Sequence, residues 1–271
     1  MQQLLIRTLS GILFVLIIVG SILLSPYAFL VVFALLTVGS LFEFHRLTNM
    51  QEHVDVNKYL AMLGGAILFI SSFLYVFVLQ SYLIFFVYAL FIMLVFFSEL
   101  FLQKNNPIHN IAYFLFGQIF IALPFSILNF ILYITNAFNP WLLIAMFALI
   151  WLYDSGAYLV GVSIGKHKMF PRISPKKSWE GFVGGVVVAL LSGYFCSILL
   201  KEISLIYWLL FALIVVIAGT FGDFFESLIK RKIGIKDSGT IMPGHGGLLD
   251  RFDSMLFVAP AIYMYLSLLL A

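Results

Sequence analysis

The chain has 271 residues, of which 63% are hydrophobic and only 10% charged, with a formal net charge of +3. A soluble globular domain carries about 25% charged residues, so that class is excluded and a polytopic membrane protein is implied. The single cysteine, Cys196, lies in an apolar run, reads as packing, and excludes intrachain disulfides, CxxC redox motifs and thiolate zinc sites.

Arg7 precedes an apolar run from Leu9 to Leu24 that ends at Ser25-Pro26 without a small-residue cleavage pattern. That is the mark of a retained span rather than a signal peptide. A span needs about 20 apolar residues. On that scale Pro, Gly and charge clusters divide the chain into nine spans, at 8–24, 27–44, 59–80, 82–102, 109–134, 141–163, 180–200, 204–222 and 254–270. The weakest division is Gln80-Ser81, and orientation supports keeping it. With the N-terminus inside, all but Lys201 of the 15 Lys and Arg residues fall on the cytoplasmic side, and deleting one span would scramble that bias. The expectation is an all-α polytopic integral membrane protein, one membrane domain over 1–271, with N-terminal spans in 1–140 and catalytic spans and cytoplasmic loops in 141–271. Arg46, Lys58 and Lys104 read as topology signals and anionic-lipid contacts. Glu43 and Glu99 read as their snorkelling partners at inner span ends.

Polar chemistry gathers in the second half. Asp154, in "WLYDSGAYLVG", falls inside a span, where a carboxylate costs about 2.5–3.5 kcal/mol on insertion scales and is functional by default. In "ISPKKSWEG", Ser174 is a candidate N-cap with Pro175 at the first helical position. Lys176 and Lys177 then stand where the chain re-enters the membrane, suited equally to an anionic substrate and to positive-inside signalling. "GDFFESLIKRK", residues 222–232, reads as an interfacial amphipathic helix before the last span. As a helix it gathers Asp223, Glu226, Ser227, Lys230 and Arg231 on an arc of about 140°.

In "PGHGGLLDRFDS", Pro243, Gly244, Gly246 and Gly247 make a turn whose amides can face an anion without an intervening Cβ. Asp250 and Asp253 follow three residues apart at the start of the last span, about 5–6 Å apart at Cβ. Hard oxygen ligands beside a phosphate suit Mg²⁺, whereas acids at a helix N-terminus also simply favour its dipole. Together with His245 and Arg251, the pattern favours metal and phosphate.

These residues resemble the phosphatidate cytidylyltransferases, or CDP-diacylglycerol synthases. The family signature is present in order as Ser227, Lys230-Arg231, Lys236-Asp237, Gly239, Pro243-Gly244-His245-Gly246-Gly247 and Asp250-Arg251-Phe252-Asp253. "YDSGAYLVG", "GKHK", "ISPKKSWEGFVGG" and "GDFFES" look like the family's upstream blocks, so the resemblance covers roughly residues 150 to 255. One position departs from the pattern: an Arg is common after the Gly of "YLVG", and here stands Val162, which puts a phosphate contact in doubt.

The resemblance implies transfer of the cytidylyl group of CTP to phosphatidic acid, giving CDP-diacylglycerol and pyrophosphate for phospholipid biosynthesis. It implies a fold of membrane helices in the cell (inner) membrane, a site on the cytoplasmic side, Mg²⁺ and a second, monovalent cation. On that reading Asp223, Asp250 and Asp253, with Asp154 as a further candidate, hold the metal, and Lys230, Arg231, Lys236 and Arg251 cradle phosphates. Ser174, Lys176, Lys177, Ser227, Asp237, Gly244, Gly246 and Gly247 would bind substrate. The role of His245 stays open between orienting a phosphate, protonating pyrophosphate and holding the turn. The lipid phosphate is already nucleophilic at neutral pH, so charge neutralisation is the main task.

Partners are therefore CTP, phosphatidic acid and membrane lipid, not nucleic acid, and the long apolar faces suit lipid or a second copy of the chain alike. Rival readings are a cytidylyltransferase for an isoprenoid phosphate, a CTP-dependent lipid kinase and a proton-coupled transporter using Asp154, Glu43 and Glu99. The DG…AR…G…D…D array of the CDP-alcohol phosphotransferases is absent.

Overall fold

The structure is a computed structural model; it describes residues 2–102, 104, 106–201, 203–239 and 246–270, with side chains from Thr8 onward. In chain order the elements are α1 (Gln2–Leu24), α2 (Pro26–Thr48), α3 (Lys58–Leu74), α4 (Phe85–Phe101), α5 (Pro107–Gly117), α6 (Leu123–Leu132) and α7 (Pro140–Ile164). A hairpin of β1 (Lys168–Phe170) and β2 (Ser174–Ser178) follows, then α8 (Trp179–Leu199), α9 (Leu205–Ile233) and α10 (Leu249–Leu270).

Helix starts are encoded locally. The Ser25 hydroxyl accepts the Ala28 N–H with Pro26 at the first position, and Asn139 accepts from Trp141 ahead of α7, again with Pro at the start. Asn57 caps α3 by accepting from Tyr59 and Leu60. Beyond α3 a π-helical turn, Tyr75–Leu79, ends at Gln80 in the left-handed region, φ 50°, so the expected turn at Gln80-Ser81 is present. A second π-turn, Gln118–Ala122, joins α5 to α6 just before Pro124, which has no N–H for the regular ladder.

Among the described residues eight helical stretches are long and apolar enough to cross a membrane: Pro26–Thr48, Lys58–Leu79, Tyr82–Phe101, Pro107–Leu132, Pro140–Ile164, Trp179–Leu199, Leu205–Ile233 and Leu249–Leu270. They coincide with the second to ninth expected spans. The first expected span corresponds to Thr8–Leu24, a shorter apolar helix among the described residues. The protein is an all-α, multi-pass membrane protein.

The chain divides into two compact units, residues 1–138 with 233–252 and residues 139–232 with 253–271. The first has an aromatic core, with Phe29 stacked on Phe33 at 4.2 Å and Phe125 against both Phe33 and Phe252. Buried amides tie its helices together. Gln118 donates to the Ala61 carbonyl at 2.9 Å and Asn129 to the Ser72 hydroxyl at 2.8 Å. In the second unit α7 and α8 pack through glycine. A Cβ on Gly156 would stand 2.7 Å from Val188, and one on Gly185 2.6 Å from Tyr153, the small-residue approach that lets membrane helices gain dispersion contacts.

Two expectations change. Residues 222–232 form the last turns of α9, not a separate amphipathic helix. With no proline between 205 and 233 the helix propagates until Gly234, φ 83°, ends it. Its 29 residues span about 43 Å, more than the roughly 30 Å of hydrocarbon, so its charged end can clear the apolar layer. The second change is Ser174, which pairs with Phe170 in the hairpin and caps no helix. Trp179 donates to the His167 carbonyl at 2.9 Å, closing the hairpin, and Ser178 caps α8 by accepting the Gly181 N–H.

Candidate active site

In the second unit the site is built by the hairpin, α7, α9 and the first turns of α10. Lys177 of β2 meets Asp223 of α9, Nζ to Oδ2 at 2.5 Å, and its ammonium stands 4.8 Å above the Phe224 ring. Both side chains are about a quarter exposed, 27% and 25%, so the pair is wet enough to exchange partners yet screened far less than a surface pair. Ser227, one turn beyond, donates to the other oxygen of Asp223 at 3.2 Å. Asp253 lies within electrostatic reach of Asp223, of Asp154 and of Lys177. Asp253 also accepts the Ser254 N–H at 2.7 Å.

Backbone approach explains why these carboxylates sit together. A Cβ on Gly222 would stand 2.5 Å from the Asp253 carbonyl and 3.2 Å from Ser254 Cα, so only glycine lets α9 close onto α10 one residue before Asp223. On the rest of the α9 arc, Lys230 pairs with the buried Glu226, and Arg231 donates to the Ile173 carbonyl at 3.3 Å, tying α9 to the hairpin. Glu180 clasps that hairpin, accepting from the backbone N–H groups of Lys166 and His167 at 3.1 and 3.2 Å and pairing with His167 Nδ1 at 2.5 Å. Lys176, the neighbour of Lys177 on the strand, is exposed.

In the first unit the loop between α9 and α10 folds on polar groups of its own and of α2. Asp250 Oδ2 accepts two backbone N–H groups, from Ser238 and Gly247, both at 2.9 Å. Gly246 adopts φ 86°, a conformation open to glycine, and a Cβ there would stand 2.6 Å from the same carboxylate oxygen. Glu43, fully buried in α2, accepts the Ser238 hydroxyl at 3.1 Å and the Leu249 N–H at 3.0 Å, while Arg46 donates to the Ser238 carbonyl at 3.1 Å. Lys236, Asp237 and Arg251 are exposed. Gly244 and His245 lie outside the described residues.

The structure thus gathers Asp223, Ser227, Lys177, Asp253 and Asp154 in one unit, and Gly246, Gly247 and Asp250 in the other. Asp250 is an organiser of its loop, a use the sequence reading did not assign. Arg46 and Glu43 are loop contacts rather than a snorkelling pair. For Glu43 the available signal was the cost of any carboxylate inside an apolar run, the criterion already applied to Asp154. Glu99 does pair with Lys104, at 3.4 Å.

Among the described residues no three His, Cys, Asp or Glu side chains converge as a metal cage. The donor set is nevertheless apt for a hard cation. Asp154, Asp223 and Asp253 are all oxygen donors, Asp253 lies within electrostatic reach of the other two, and the Lys177 ammonium pairs with Asp223.

A model of the cytidylyltransferase family matches residues 5–269, nearly the whole length. The chain belongs to that family. It is 42% identical over 184 residues to a phosphatidate cytidylyltransferase of Bacillus subtilis, covering 66% of this chain and 67% of the relative. To the phosphatidate cytidylyltransferase of Rickettsia bellii it is 35% identical over 76% of this chain and 90% of the relative. A Staphylococcus saprophyticus protein of the same name is 43% identical over about half of each chain, 50% and 52%. The chain is therefore a cytidylyltransferase built of membrane-spanning helices.

Proposed function

We propose that this protein transfers the cytidylyl group of CTP to phosphatidic acid, releasing pyrophosphate and leaving CDP-diacylglycerol in the membrane. The observation that carries the reading beyond the family is the pairing of Lys177 on the hairpin with Asp223 on a membrane-spanning helix, with Asp253 within electrostatic reach of Asp223 and Asp154. A lipid phosphate attacking the α-phosphorus of CTP needs no strong base. It needs its repulsion from a triphosphate reduced and the developing charge met by fixed cations and amides.

Asp223, Asp253 and Asp154 are the residues that would hold Mg²⁺, which when bound supplies charge neutralisation and polarises a phosphoryl oxygen. Lys177 is held by a carboxylate rather than by lipid, so it is placed in advance for an anion. Ser227 restrains the other oxygen of Asp223. Gly246 and Gly247 let the backbone close on Asp250, which fixes the turn by accepting the Gly247 N–H. The site is assigned to the cytoplasmic face of the cell membrane, on the side where all but Lys201 of the Lys and Arg residues fall.

The test is pyrophosphate release by detergent-solubilised protein given CTP and phosphatidic acid, with Mg²⁺ present or chelated and with the lipid omitted in turn. Turnover requiring all three is expected. Turnover with an isoprenoid phosphate but not phosphatidic acid would reassign the acceptor, and transfer of the CTP γ-phosphate would make the protein a lipid kinase.

A further inference from the structure

The loop that carries the glycines is clamped from outside the signature. Ser238 has three polar atoms engaged: its N–H donates to Asp250, its carbonyl accepts from Arg46, and its hydroxyl donates to Glu43 Oε2 at 3.1 Å. The same Glu43 oxygen accepts the N–H of Leu249, the first residue of α10, at 3.0 Å. Glu43 therefore holds both ends of the stretch between Ser238 and Leu249. Gly239 and Gly247 lie so close to its carboxylate that a Cβ at either would collide with it. A carboxylate placed in a span is costly unless hydrogen-bonded. Here both hydrogen bonds come from the loop, so the buried acid and the loop geometry depend on each other.

We propose that Glu43 is a positioning residue for cytidylyl transfer, fixing from α2 the two ends of the glycine loop, with Arg46 as the second clamp. This rests on the cytidylyltransferase reading above. The partners lie 195 and 206 residues apart in sequence, so the first third of the chain does more than anchor: it holds Ser238 and Leu249 in place on either side of the signature glycines. Since Glu43 meets the loop through its ends, its loss acts on substrate affinity as well as on fold.

The experiment compares wild type, Glu43→Ala, Glu43→Gln, Ser238→Ala and the Glu43→Ala/Ser238→Ala double variant. Amide exchange of peptides covering 233–252 is read by mass spectrometry without substrate, and KM for CTP and kcat are measured well below each melting temperature. Expected are faster exchange at Ser238 and Leu249 in Glu43→Ala with α7 peptides unchanged, and a rise in KM for CTP of about tenfold, the scale of one lost charged hydrogen bond. Glu43→Gln, which keeps an acceptor oxygen, recovers most of that loss, and the double variant loses less than the product of the singles. A lower melting temperature with KM and local exchange as in wild type would overturn the proposal. Ser238→Ala removes only a hydroxyl and keeps the test standing should Glu43→Ala fail to fold. If wild type itself does not turn over CTP, the functional reading fails, while the exchange data still decide whether Glu43 holds the loop.

Discussion

Asp223, in the upstream block, and Asp250, in the signature, are both candidate metal ligands in the sequence, but their surroundings give them different work. Asp223 faces an ammonium and a hydroxyl, groups that a cation or a phosphate can displace. Asp223→Asn is expected to abolish turnover, and Lys177→Ala to lower kcat by about 10²-fold, the scale for removing one preorganised donor. Pyrophosphate release under saturating CTP checks both, and near-normal rates in either variant would remove the pair from the site. Asp250 instead holds two backbone amides with one oxygen. Asp250→Ala leaves both without that acceptor, at about 1–3 kcal/mol each, whereas Asp250→Asn retains an acceptor oxygen. Thermal melting in detergent should therefore rank wild type above Asn and Asn above Ala. If Asn and Ala melt alike while both lose Mg²⁺ response, Asp250 is a metal ligand before it is a loop organiser.

At the level of elements, the helices were legible because apolar runs bounded by Pro, Asn and Ser caps leave few alternatives in a membrane. The partition at Gln80-Ser81 appears in the structure as a left-handed Gln80 ending one helix. The hairpin was not legible. "KMF" and "SPKKS" are too short and too polar for a period of two to declare itself, and its closure depends on Glu180 and His167 across the turn. Nor could spacing reveal that Glu43 belongs to a loop 195 residues away. The α9–α10 approach supplies a contrast that spacing also hides. Gly222→Ala forces a methyl against the Asp253 backbone, which cannot give, and is expected to cost about 1–3 kcal/mol together with turnover, because it displaces Asp223 from Asp253. Gly20→Ala in α1 meets nothing within 4 Å and should be neutral or stabilise by roughly 0.5–1 kcal/mol. Melting curves of the two variants separate close packing from glycine's general weakness in helices.

For the molecule as a whole, the distribution of charge carries the proposed orientation, and with it the side on which CTP would be met. Lys168 and Lys201 flank α8 at opposite ends, so a single crossing by α8 puts them on opposite faces of the membrane. Lys201 is the cation assigned to the outside, and it follows a helix whose C-terminal turn ends at Leu199. Replacing the one native cysteine by Cys196→Ser gives a background in which single reporters can be read. In intact cells a membrane-impermeant maleimide should label Lys201→Cys directly and Lys168→Cys only after permeabilisation, because the basic segments stay where they are synthesised. The reverse pattern would place the Lys177–Asp223 cluster, borne on the same hairpin as Lys168, on the face opposite the nucleotide pool, and the enzyme could then not be fed from the cytoplasm. Equal labelling of both sites in intact cells would instead mean that α8 does not cross, even though its 21 residues suffice for the roughly 30 Å hydrocarbon layer.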